Sequence, residues 1–204
     1  MAKPGPTVDR VTRSRLNSFT AVRLDRLAES RDDPGWIART LASPNAHIVP
    51  LWRGLNLLAQ KGDEQIAVYL EANEISLTGT AGTPTLLGAD EKRIYFALPL
   101  NGQQKDEVLK RHKHSEFLDL RMASIDMDTK HAGVLAYAKA LLYWQYRHAY
   151  CGVCGSANRL ESAGHKLVCS NTRCGRESFP RIDPAIIVLV TEGDACLLGR
   201  NSQW

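Results

Sequence analysis

The chain is predicted to be an α+β protein on three observations. Short apolar or alternating runs, bounded by Gly, Pro, Asn or Asp, recur between residues 47 and 100, which is the pattern of strands. A helical segment that is apolar nearly all round follows at 128–148, and two close pairs of cysteines lie beyond it. With 44% hydrophobic and 24% charged residues over 204 positions, the composition excludes disordered and low-complexity classes and leaves room for one or two domains. No run of 18 or more apolar residues occurs, so no membrane-spanning helix is expected.

Residues 1–18 are rich in Pro, Arg, Ser and Thr and are expected to be a flexible N-terminus. They have no apolar core of the kind a secretory signal needs, and Asp9, Asp25 and Glu29 argue against an organellar leader. Asp33-Pro34 opens a short helix, with Asp33 as cap and Pro34 where its missing N–H costs nothing. Trp36, Ile37 and Leu41 give that helix one apolar side, and Pro44-Asn45 ends it. Strands are expected at 47–52, 55–60, 65–70, 85–89 and 93–100, with Arg53-Gly54 and Lys61-Gly62-Asp63 as hairpin turns, giving an antiparallel sheet. A polar helix is expected at 104–112, and the long apolar helix starts with Asp128 or Thr129 as its cap. The run Ala185-Ile186-Ile187-Val188-Leu189-Val190 has the look of a strand buried on both faces. A Glu192-Gly193-Asp194 turn then leads to a second strand at 195–200, where Cys196 is expected to be a buried small hydrophobe.

Charge narrows the function classes. Residues 1–31 hold seven Lys/Arg and three Asp/Glu and so carry the whole net charge of +4, while the remainder holds 19 of each sign. The folded body is neutral, which argues against a strongly basic nucleic-acid face while leaving room for a local patch.

All five cysteines lie at or after Cys151, a poor disulfide framework. Four follow the pattern Cys151-x2-Cys154, fourteen residues, then Cys169-x4-Cys174. A tetrahedral zinc takes four thiolates at about 2.3 Å, and two tight turns deliver them in pairs. Gly155 and Gly175 directly follow the second cysteine of each pair, where such turns favour a positive φ. The intervening residues suit a hairpin of 158–161, a Ser162-Ala163-Gly164 turn and 165–168, with His165 as a strand residue. The pattern is that of a zinc ribbon, in a reducing compartment taken to be the cytoplasm. Four thiolates leave no open metal position, so the zinc is expected to be structural and the chemistry to lie elsewhere. His47, His112, His114, His131 and His148 form no recognisable cluster, and no phosphate-binding loop, serine elbow or zinc-protease motif is present.

Several segments together resemble the NADH pyrophosphatase branch of the Nudix hydrolases. They are Leu24-Asp25-Arg26, Asp33-Pro34-Gly35-Trp36, Pro50-Leu51-Trp52-Arg53-Gly54, Leu120-Arg121, the helix with Ala138, Leu141 and Trp144, and Leu197-Leu198-Gly199-Arg200. The most specific stretch runs from Cys151-Gly152-Val153-Cys154-Gly155 through the second cysteine pair to Phe179-Pro180-Arg181-Ile182-Asp183-Pro184-Ala185-Ile186-Ile187. The resemblance implies an N-terminal α+β domain at 19–148, a zinc ribbon at 149–178, and at 179–204 the first strands of an incomplete Nudix α/β/α domain. It implies hydrolysis of the pyrophosphate of NADH or NAD to nicotinamide mononucleotide and AMP, removal of NAD caps from RNA in some members, and a homodimer. Phe179 would stack on the substrate base and Ile187 would line the same pocket. Magnesium or manganese would be held by glutamates of the Nudix box and would activate a water. That box is not present: the only Arg-Glu pair is Arg176-Glu177, inside the ribbon, and no Glu-Glu pair occurs. The sequence therefore reads as truncated before the box and inactive alone. The alternative is a non-catalytic zinc-ribbon module for dimerisation or nucleotide binding.

Overall fold

The structure is a computed structural model, and it describes residues 9, 12, 17, 19, 22–74, 82–123, 127–184, 186–200 and 202. The flexible N-terminus expected at 1–18 lies almost wholly outside these residues, as do Ala185 and Trp204.

Helix α1 (Pro34–Leu41) begins as the sequence requires, with the Asp33 carboxylate accepting from the Trp36 N–H at 2.9 Å and Pro34 in the first turn. Strands β1 (Ala46–Trp52) and β2 (Leu55–Lys61) are joined by Arg53-Gly54, both at positive φ, the geometry of a two-residue hairpin turn. β3 (Glu64–Ala67) returns against β2. β4 (Thr85–Ala89) and β5 (Ile94–Pro99) form a second hairpin. Helix α2 (Gly102–Arg111) carries a capping box in which Asn101 and Gln104 satisfy each other's backbone N–H groups. β6 (Ser115–Leu118), which the sequence pattern did not reveal, pairs with β2. The short α3 (Leu120–Ala123) then leads to α4 (Thr129–Arg147), capped by Asp128.

The sheet is mixed rather than antiparallel. Its order is β3-β2-β1-β5-β4, and β1 runs parallel to β5 from Ala46↔Ile94 to Leu51↔Pro99. The reason lies in the two central strands, whose residues Ile48, Val49, Tyr95, Phe96, Ala97 and Leu98 are all completely buried. Strands apolar on both faces need a layer on each side, and such strands tend to pair in parallel. α4 supplies one layer: Val134, Leu135, Ala138 and Leu141 pack on Val49, Leu51, Leu87 and Ala97. The other face is covered by Val108 of α2 and, at a separate cluster, by Trp36, Ile37 and Leu41 around Phe96 and Leu86. Each large apolar side chain buried this way contributes about 1.5–3 kcal/mol.

Beyond α4 come β7 (Asn158–Glu161), β8 (Lys166–Cys169) and β9 (Glu177–Ser178), a three-stranded antiparallel sheet. The last strands are only β10 (Thr191–Glu192) and β11 (Ala195–Cys196). This corrects the expectation for 185–190. Among its described residues there is no strand, and Ile186 is 84% exposed and Ile187 fully exposed. Cys196 is exposed as well, not buried. An apolar β-branched run becomes a central strand only where neighbouring strands and covering layers meet it, and no element of the described structure covers this one.

Candidate metal centre

The four cysteines of the ribbon converge. Their sulfur atoms all lie within 4.8 Å of one another. The Sγ–Sγ distance is 3.8 Å between Cys151 and Cys174 and 3.4 Å between Cys154 and Cys169. Four ligands at about 2.3 Å in a tetrahedron sit roughly 3.8 Å from each other, so the cage has the dimensions of a zinc–thiolate site. Two turns build it. Gly155 N–H donates to Cys151 O and Gly175 N–H to Asn171 O, each at 2.9 Å, with both glycines at positive φ. The extra residues of the second pair are absorbed by that turn without displacing Cys174.

Electrostatics favour a cation. The Cys154 thiol is pulled down to about 6, first by the backbone N–H of Ser156, then by the Ser156 hydroxyl and by Cys169. Cys151 is lowered by the N–H groups of Cys154 and Val153. Burial pushes Cys169 up to about 12. Thiolates this close repel one another, and a divalent cation among them removes the conflict. Cys151 and Cys169 are buried, Cys174 is partly so and Cys154 is exposed.

The ribbon is bolted to the sheet through its hairpin tip, a feature the sequence did not announce. His165 is in the turn, not the strand, and its Nε2–H donates to Leu86 O of β4 at 2.6 Å. From α4, Gln145 Nε2 donates both to Thr85 Oγ1 at 2.9 Å and to Gly164 O at 2.8 Å. The Ser162 hydroxyl donates to Asp32 Oδ1 at 2.7 Å. The one weak signal for this contact was Gln145, set among Leu141, Leu142 and Trp144 in the apolar stretch of the helix.

The remaining expected residues fall elsewhere. Phe179 directly follows β9 and is 56% exposed, and Ile187 is exposed in an irregular segment. His47 and His131, scattered in sequence, both meet the Tyr69 ring, and the Tyr69 hydroxyl lies 2.7 Å from His131 Nδ1. Nearby, Asp90 accepts from Tyr95 OH at 2.9 Å and pairs with Lys130 at 3.0 Å. These contacts tie α4 to the edge of the sheet.

The fold and the four-thiol cage define a Nudix-related α+β domain carrying a zinc ribbon. The model of the NADH pyrophosphatase-like rudimentary NUDIX domain matches residues 45–144, and that of the NADH pyrophosphatase zinc ribbon domain matches 147–179. The chain thus belongs to the NADH pyrophosphatase branch of the Nudix hydrolases. It is similar to the NAD-capped RNA hydrolase NUDT12 of Homo sapiens, 28% identical over 229 residues that cover 92% of this chain and 49% of the relative. It is 35% identical over 169 residues to Nudix hydrolase 19, chloroplastic, of Arabidopsis thaliana, covering 78% of this chain and 37% of that protein. With the mitochondrial NAD(P)H pyrophosphatase NUDT13 of Homo sapiens the identity is 32% over 129 residues, 58% of this chain and 36% of the relative. The chain spans about half the length, or less, of these relatives.

Proposed function

We propose that these 204 residues serve as the N-terminal domain and zinc ribbon of an enzyme that hydrolyses the pyrophosphate of NADH or NAD to nicotinamide mononucleotide and AMP, and that removes NAD caps from RNA. The observation that carries the reading is the order of two matched domains, rudimentary NUDIX then zinc ribbon, with the thiol cage of the second already shaped. In this reading Cys151, Cys154, Cys169 and Cys174 hold one structural zinc. Magnesium or manganese bind the glutamates of a Nudix box, none of which lies in these residues. Phe179 and Ile187, both exposed and apolar on either side of Pro180 and Pro184, are available to flank a base in a homodimer. The four close, unbridged thiols favour a reducing compartment, and we infer the cytoplasm. No helix of the described residues is long and apolar enough to cross a membrane.

Two measurements test this. The purified 204-residue chain, incubated with NADH and magnesium, is expected to release no nicotinamide mononucleotide or AMP by chromatography; turnover like that of a full-length relative would overturn the assignment of chemistry to absent glutamates. Reading the coding DNA past the Trp204 codon is expected to reveal a Nudix box. A stop with no box downstream would replace the enzyme reading with a non-catalytic zinc-ribbon module.

A further inference from the structure

A cleft of about 810 Å³ opens between the β1–β2 turn, the C-terminal half of α4 and the ribbon hairpin. Its floor is apolar, with Leu142, Leu160 and Leu167 among the lining residues. Its size and its place between two units match those of ligand sites. Three features of its rim need a reason. Tyr143 and Tyr146 line it yet are 61% and 78% exposed, and Tyr150 is 70% exposed. Tyr143 and Tyr146 stand three residues apart near the end of α4, so they share one side of it, and Tyr150 follows just beyond the helix. Large aromatics placed this way add nothing to the core. The charged residues of the lining are Arg53 and Lys139, and no carboxylate is among them. Lys139 pairs with Asp119 at 2.8 Å, while the Arg53 guanidinium sits 5.0 Å above the Trp52 ring. Finally, Asn158 lines the cleft with its Nδ2 donating to His148 O at 2.9 Å, and its Oδ1 is buried with no hydrogen-bond partner among the described residues.

We propose that this cleft is a binding site for single-stranded RNA, with bases stacking on Tyr143 and Tyr146 and phosphates passing Arg53 and Lys139. Exposed aromatics interleaved with cations are how proteins hold unpaired nucleic acid, because every base has a π-face and every linkage a charge. The unpaired Asn158 oxygen is an acceptor for a base amino group. The neutral charge of the folded body does not oppose this, since only a few phosphates need be met, but it does set the binding to be modest and salt-sensitive. The proposal rests on the reading that capped RNA is a substrate and extends it: the cleft takes the RNA body, not the cap.

Fluorescence anisotropy tests it with the zinc-loaded 204-residue chain and a labelled, 5′-hydroxyl RNA of about ten nucleotides. The probe carries no NAD, so loss of cap chemistry does not affect the result. Binding at low salt is expected, with a log–log salt slope of about −1 to −2 for two contacts. The Tyr143→Ala/Tyr146→Ala variant is expected to bind about tenfold weaker or worse, and Tyr143→Phe/Tyr146→Phe close to wild type. Arg53→Gln with Lys139→Gln is expected to flatten the salt slope, and it carries the test if the alanine pair fails to fold, as judged by zinc content and circular dichroism. Absence of binding, equal binding by the alanine pair, or competition by AMP as effective as by unlabelled RNA would overturn the proposal. So would sedimentation showing a wild-type dimer that the alanine pair converts to monomer, since a second copy would then fill the cleft.

Discussion

His165 illustrates how much a single side chain decides in this molecule. Its ring is pressed between the ribbon tip and β4, and burial lowers its pKa to about 4, although the hydrogen bond to Leu86 O works the other way. In the unfolded chain the ring titrates near the ordinary value of about 6.5. Between that pH and about 4 the unfolded state takes up a proton that the folded state refuses. The stability contributed by the neutral ring is therefore complete above about 6.5 and is lost as the pH falls toward 4. The loss is expected to be about 1–2 kcal/mol, because the ring keeps some access to water. Urea melts of zinc-saturated wild type and His165→Gln at pH 7.5 and 5 measure it: the wild type should lose this amount more than the variant. Equal losses would show that His165 does not couple to folding.

At the level of elements, the contact between the ribbon hairpin and β4 is the joint that holds the two units in one arrangement. Gly164 makes it fit. Its φ is +94°, and a Cβ there would sit 2.5 Å from Thr85 Oγ1. Left-handed backbone and a clash against a buried neighbour each cost about 1–3 kcal/mol. Gly164→Ala is expected to lower stability by about 2–4 kcal/mol in thermal or urea melts while leaving the metal cage intact, since the cysteine turns lie at the far end of β7 and β8. A variant that melts like wild type would mean that the tip does not bear on β4 in solution. The segment from Ile182 to Leu198 is the opposite case. Its Ile186, Ile187, Val188, Leu189, Leu197 and Leu198 are all more than half exposed, and an uncovered apolar run of this kind favours association with whatever can pair with it.

For the whole molecule the question is how far the metal supports the rest. The three core clusters draw on β1–β5 and on α1, α2, α3 and α4, and none contains a ribbon cysteine. The ribbon's own interior is small, essentially Leu167, Val168, Cys151 and Cys169. A unit of that size needs its metal to stay folded. Purified, reduced protein is expected to hold about one zinc per chain. Removal by a chelator is expected to expose the amides of 149–178 to hydrogen exchange, with smaller loosening at Thr85 and Leu86 through Gln145 and His165, and protection retained in β1 and β5. Zinc-free protein in which the ribbon amides stay protected would contradict a structural zinc.

What was legible from the sequence was whatever depends on neighbours along the chain. The Asp33 and Asp128 caps, the Arg53-Gly54 turn, the bounds of β4 and the spacing of the cysteine pairs are local chemistry, and each appears in place. The class of fold and the family followed from the same local patterns. Only the tertiary structure decided the rest. It set β1 parallel to β5, brought β6 to β2, turned His165 from a strand residue into a tie to Leu86, and left the 186–190 run uncovered. It also assembled the cleft from Arg53, Lys139, Tyr146 and Asn158, which lie on three separate elements. Hydrophobic pattern says that a strand or helix must be covered and on how many sides. It does not say by what, because burial is non-directional and the partner is chosen by the packing of the entire chain.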